Sequence, residues 1–133
     1  MCIHIYIEYK ILFLRYNLFY NLFINLFKEE FKMVKTLNLT NFQESVAETE
    51  VALVKFWAPW CGPCNTYAPT FDKFAEDNQD VVCFSVDCEE FPELAQEFDV
   101  MSIPATLLFK NGEYTKTRSG KLTAEQLETL SAS

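Results

Sequence analysis

The sequence predicts an α/β fold: a central mixed β-sheet flanked by helices on both faces. Three observations carry that prediction. Short apolar runs alternate with helix-patterned stretches in the order β-α-β-α-β-α-β-β-α, the alternation that layers helices against a sheet. Asn111-Gly112 lies between two strand-type runs and marks a tight hairpin, which supplies an antiparallel pair. The apolar run Val51-Ala52-Leu53-Val54, with Phe56, leads to Cys61-Gly62-Pro63-Cys64 and then to a helical stretch. That junction of strand and helix carries two thiols three positions apart.

The elements follow in chain order. Val34–Leu37 reads as a short strand, and Thr40 has the side chain to cap a helix running to about Thr49. Val51–Trp57 is an apolar strand broken only by Lys55. Gly62 to about Asn78 is helical, with a kink expected at Pro69, which lacks the N–H for that turn. Val81–Val86 is a buried strand, and Phe91–Phe98 a helix that tolerates Pro92 in its first turn. Thr106–Lys110 and Glu113–Arg118 form the hairpin, and Thr123 begins a last helix that reaches Leu130.

The chain of 133 residues fits one domain of the usual ~100–150 residues. Its net charge of −8 is unevenly placed: residues 1–32 carry four Lys/Arg and three acids, residues 33–133 seven and sixteen. A domain this acidic is no nucleic-acid binder, since that work depends on neutralising phosphates. Its charge favours partners met through an apolar patch or a basic surface. The chain has five cysteines, and only Cys61 and Cys64 have motif spacing. A secreted disulfide scaffold would be shorter and evenly paired. Cys2, Cys83 and Cys88 therefore read as reduced thiols, and the expected location is the cytoplasm.

Residues 1–32 differ from the rest. They hold nine Phe/Tyr and no Gly, Pro, Ser, Thr, Ala or Asp, whereas the sequence from Met33 onward has ordinary globular usage. The segment reads as an extension outside the fold, for which two origins stand open. One is a mis-assigned start upstream of Met33. The other is a membrane-associating helix over Ile11 to Phe27. A span is disfavoured because Arg15, Asn17, Asn21 and Asn25 fall inside it, and a central arginine alone costs ~2.5–3.5 kcal/mol. Asparagines every four positions would line one face, which fits a helix lying on a surface better than one crossing it.

A bare Cys-x-x-Cys is also half of a zinc site. Here it stands after a buried-type strand, between tryptophan and a helix, where dithiol–disulfide exchange fits better. A thiol of pKa ~8.5 is about 3% ionised at neutral pH. One unit of depression needs ~1.4 kcal/mol, and a helix N-terminus supplies ~0.3–1 kcal/mol exposed or up to ~2 partly buried. Position alone can activate Cys61.

From about Val34 to Ser131 the chain closely resembles the thioredoxin family. The resemblance rests on Val54-Lys55-Phe56-Trp57-Ala58-Pro59-Trp60-Cys61-Gly62-Pro63-Cys64, Ser102-Ile103-Pro104-Ala105-Thr106 and Phe109-Lys110-Asn111-Gly112. It implies the thioredoxin fold and a protein-disulfide reductase. The partners implied are disulfide-containing client proteins and an NADPH-dependent thioredoxin reductase. The couple implied is Cys61–Cys64 itself, with no other cofactor and no metal. By resemblance Cys61 attacks the client disulfide and Cys64, more buried, resolves the mixed disulfide. Gly62 admits a partner backbone, and Pro63 stiffens the helix start and goes with a reducing bias. Trp60 faces the client, while Trp57 mainly packs. Pro104 is expected in the cis form after Ile103, both offering backbone groups to an extended client strand, and Gly120 completes an apolar docking patch.

Some positions depart from the family. Lys55 stands where a buried acid is usual. Either its stem is buried and its amine reaches water, or its pKa falls and it serves as a base. Asn65 removes a positive charge that often follows the motif. The only histidine, His4, is in the extension, so the domain has no Cys–His pair. Cys83 reads as core filler, and Cys88 as an oxidisable thiol whose acidic neighbours raise its pKa. Two rivals stand beside the reductase. A secretory oxidase or isomerase domain is disfavoured by Pro63 and by the Ser131-Ala132-Ser133 end without a retention signal. A redox-independent binding module is disfavoured by the intact cysteine pair.

Overall fold

The structure, a computed structural model, describes residues 10–22 and 34–133. The chain divides into two units, Met1–Lys32 and Met33–Ser133, each considered by itself. In the first, residues 10–22 form helix α1. Its apolar side chains, Leu12, Leu18 and Phe19 among them, are exposed. No helix among the described residues is long and apolar enough to cross a membrane. Residues 23–27 of the expected amphipathic segment, and Met33, lie outside the described residues.

In the second unit the chain runs β1 (Lys35–Thr36), α2 (Phe42–Ala47), β2 (Val51–Trp57), α3 (Gly62–Asp77), β3 (Val82–Asp87), α4 (Pro92–Glu97), β4 (Ala105–Lys110), β5 (Glu113–Ser119) and α5 (Ala124–Ala132). The strands lie in the order β1-β3-β2-β4-β5. The first three are mutually parallel, and β4 and β5 add antiparallel neighbours. This is the expected mixed sheet.

The period-2 pattern of the strands separates two cores. Ala52, Val54 and Phe56 of β2 pack with Leu107 and Phe109 of β4, Phe42 and Val46 of α2 and Leu94 of α4. Leu53, Cys83 and Leu108 point the other way, toward Tyr67, Phe71 and Phe74 of α3 and Leu127 and Leu130 of α5. Lys55 and Trp57 share the parity of Leu53, so both belong to the α3 side of the sheet.

Local chemistry explains where the elements differ from expectation. Thr40 does not cap α2; the N-cap is Asn41, and it makes no side-chain cap bond. Asn38 takes the local donors instead: its Oδ1 accepts from the backbone N–H groups of Thr40 and Asn41 and from the Thr40 hydroxyl. A short amide closing a turn has outcompeted the helix cap. The first strand has only two residues, yet its pairing extends through the Leu37 N–H, which donates to the Ser85 carbonyl at 2.8 Å. The other strand and helix limits fall within two residues of those expected. Thr123 caps α5 reciprocally with Gln126 in a full capping box. Asn111 and Gly112 both have positive φ, 51° and 83°, as a tight hairpin turn requires.

Candidate active site: a thiol pair at the start of the third helix

The end of β2 delivers the chain to α3 through Ala58, Pro59 and Trp60. Cys61 is the N-cap of α3, in extended conformation, and its sulfur accepts from the Cys64 N–H at 3.3 Å. Sulfur thus occupies the place where serine or aspartate oxygen commonly satisfies an orphan helix donor. No acidic residue lies in the first turn, so nothing competes for the positive end of the helix. Pro63 costs no hydrogen bond in that turn. Cys61 and Cys64 form a disulfide across a Cα separation of 5.3 Å, within the normal range for the bond. Both are buried, Cys64 slightly more so, in a small cluster with Ala58.

Two further segments converge on the pair. Cys61 Sγ lies 3.8 Å from the Ile103 carbonyl oxygen, and the Ile103–Pro104 peptide is cis. The Gly120 N–H donates to the Pro104 carbonyl at 2.8 Å, which fixes the next loop beside it. The structure therefore brings Cys61, Cys64, Ile103, Pro104 and Gly120 together. Trp60 is 71% exposed next to Cys61. A Cβ placed on Gly62 would meet nothing within 4 Å among the described residues, so internal packing of the domain does not demand glycine there. Trp57 is half-buried against the cysteine cluster, and its indole N–H has no protein partner among the described residues.

Lys55 is buried at 6% exposure, with Nζ 5.2 Å from the centroid of the Phe71 ring. Burial lowers its pKa from 10.5, opposed by the negative charge of Asp72 and by Cys83. Lys55 pairs in register with Ser85 on β3 and Thr106 on β4. Thr36 and Arg118 extend this cross-sheet row to both edges. Above it, the Tyr67 hydroxyl shares a 2.7 Å hydrogen bond with Thr106 Oγ1, and burial raises the Tyr67 pKa to about 12. Reading the sequence missed Asp72, Tyr67, Thr106 and Ser85. Only Asp72 left a signal: Cys64, Ala68 and Asp72 repeat every four positions on one helix face.

Cys83 is buried in the α3-side core. Cys88 is half-buried, and its thiol is pushed up to about 11 by burial first and then by its acidic neighbour Asp87.

Lys55 has a measurable consequence for stability. The unfolded chain binds the lysine proton up to pH 10.5, whereas the native state gives it up at lower pH. Between those limits the unfolded state holds more protons, so stability rises with pH. Cys88 and Tyr67, whose folded pKa values are raised, work in the opposite sense above 9.0 and 10.0. The difference in unfolding free energy between wild type and Lys55→Met removes those common contributions. That difference should move in favour of wild type as pH rises toward 10.5. Urea titrations at several pH values would measure it, and a flat difference would mean that the amine keeps its ordinary pKa.

A mixed sheet with a disulfide at a helix N-terminus, closed over by a cis-proline loop, defines a protein of thiol–disulfide exchange. The Thioredoxin family model matches residues 33–132. A thioredoxin of Alicyclobacillus acidocaldarius subsp. acidocaldarius is 43% identical over 94 residues, covering 70% of this chain and 90% of that protein. Protein disulfide-isomerase 1 of Caenorhabditis elegans is 40% identical over 96 residues, 69% of this chain but 20% of the relative. Among solved structures, a mutant thioredoxin from Halobacterium salinarum NRC-1 matches with a TM-score of 0.71 at 27% identity, covering 75% of this chain and 88% of that one. The chain belongs to the thioredoxin family, and its chemistry is that of a thiol–disulfide oxidoreductase.

Proposed function

We propose that this chain is a protein-disulfide reductase that turns over through Cys61 and Cys64 with no other cofactor. The observation that carries the reading is the seat of Cys61: its sulfur accepts a helix-terminal N–H, in a first turn free of acids. A thiolate there is favoured by both the hydrogen bond and the helix dipole. Cys61 attacks a client disulfide, displaces one client thiolate and forms a mixed disulfide; Cys64 then displaces the second. Trp60, Gly62, Pro63, Ile103, Pro104 and Gly120 form the client surface. The Ile103–Pro104 segment offers backbone groups to an extended client strand, and the open space at Gly62 leaves room for its approach. Trp57 packs behind the pair. An NADPH-dependent thioredoxin reductase would recharge the dithiol in the cytoplasm. Residues 1–32 lie outside the exchanging domain, residues 33–133.

Insulin-disulfide reduction by the full chain with dithiothreitol tests this. Wild type should accelerate precipitation of the insulin B chain, and Cys61→Ser should fall to the dithiothreitol background. Equal rates for the two proteins would overturn the reading.

A further inference from the structure

We propose that the free edge of β5 docks an acidic extended segment of the client, which adds to the sheet as a further strand with its carboxylates on Lys116 and Arg118. This rests on the reductase reading above and names the class of client that the surface favours. Strand β5 is an edge: the sheet order ends on it, and its neighbour there is β4. Its outer backbone groups are open to pairing with another chain. The strand ends at Ser119, and the next residue, Gly120, donates to the Pro104 carbonyl at 2.8 Å. The open edge therefore begins beside the segment that receives the client.

Charge selects the strand that fits. Residues 110–121 carry four of the seven Lys/Arg of residues 33–133 and one of the sixteen acids. The rest of that domain is strongly acidic. Lys116 stands opposite Leu108, and Arg118 opposite Thr106, in the β4–β5 register. Both therefore belong to the sheet face on which Leu108 packs against α5. There they line an open groove of about 500 Å³ with Leu122, Gln126 and Thr129. The wall also holds one acid, Glu125, which makes no ion pair with either cation among the described residues.

The two cations are two positions apart, the repeat of one face of a strand. A partner strand that alternates acids with other residues sets a carboxylate opposite each of them. Charges on an edge strand ordinarily keep like strands apart. A second β5 laid along this edge would set cation against cation, so the feature that excludes self-pairing admits an acidic strand. The domain as a whole repels such a strand, and a preference for it must come from this edge.

Two cyclic peptides test this, each with one disulfide ring and a tail of about six residues, the length of a typical strand, on either side. The tails alternate valine with glutamate in one peptide and valine with glutamine in the other. The full chain reduces them with dithiothreitol as donor, and rates are taken above the dithiothreitol background. Wild type at low salt should have a kcat/KM about tenfold higher for the glutamate peptide, the scale of two exposed ion pairs. The difference should lie in KM and shrink as salt is raised. Lys116→Gln/Arg118→Gln should bring the ratio to one or below. Arg118 is exposed and Lys116 half-buried, so the substitutions leave folding intact. Lys35→Gln/Lys73→Gln removes the same charge from β1 and α3 and should leave the ratio where it is in wild type.

The glutamate tail alone, without the ring, should move the backbone amide resonances of Thr115, Thr117 and Ser119 in a proton–nitrogen NMR spectrum. A ratio of one or less in wild type would overturn the proposal. So would an equal fall in both double variants, because overall charge would then explain the preference. Amides of β5 that move with protein concentration but not with the tail would give the edge to a second copy of this chain and overturn it too. Reduction of neither peptide would overturn the reductase reading, and this proposal with it.

Discussion

Cys64→Ser is expected to turn the protein into a covalent trap, cutting insulin turnover about a hundredfold or more, the scale of losing a group that acts in the reacting unit. The substitution leaves the first step intact. The donor to Cys61 Sγ is a backbone N–H, which any residue at position 64 supplies. The Ile103 carbonyl and the helix end also remain. Cys61 therefore still attacks, and the mixed disulfide accumulates because the second thiol is gone. Mass spectrometry of the reaction should show one client chain per protein, removed by dithiothreitol and missing from Cys61→Ser. Cys88 does not substitute as nucleophile: with its thiol at about 11, roughly one molecule in ten thousand is ionised at neutral pH. An adduct of equal yield in Cys61→Ser would overturn this assignment of roles. So would the lack of any adduct in Cys64→Ser.

The parts of this fold written in local sequence were legible, and those that depend on register were not. Val51–Trp57 needed only an apolar run of the right length, Thr123 only a capping box, and Asn111-Gly112 only its turn chemistry. The thiol pair was legible for the same reason, since motif and helix start are contiguous. Thr40 failed as a cap because Asn38, two residues earlier, offers a competing acceptor, and local rules do not say which wins. The cis form at Pro104 came from family likeness, as cis is a minority state for any X–Pro bond. The surroundings of Lys55 were beyond reach. That a lysine interrupts an apolar strand is plain from the sequence. That Ser85 and Thr106 flank it depends on the register of three strands, and one slipped residue would have put Val86 and Ala105 there instead.

Phe109→Ala should cost about 3–5 kcal/mol of folding free energy, the usual result of deleting a buried aromatic ring, without altering exchange chemistry. Phe109 is 3% exposed and stands between several elements. Its ring meets Phe98 edge-on at 5.3 Å, Phe42 at 5.7 Å and Tyr114 at 5.9 Å. It thus ties β4 to α2, to the end of α4 and to β5. Each aromatic pair contributes about 0.5–1.5 kcal/mol beyond area burial, and the cavity left behind cannot close because three rings must shift to fill it. A domain of this size has about 5–15 kcal/mol in total, so the variant should unfold at much lower urea concentration with an unchanged m-value. The site should not notice. Phe109 is near the Lys110 end of β4, whereas the strand enters beside Pro104 at the opposite end. At a temperature where the variant is folded, its rate of reaction with dithiobis-nitrobenzoate should equal wild type. Phe109→Leu keeps most of the volume and loses the ring pairs, so its cost should fall between the two. A loss under about 1 kcal/mol in Phe109→Ala would mean that the surrounding rings repack freely. An altered exchange rate in the folded variant would mean that the far end of the sheet is coupled to the cysteine pair.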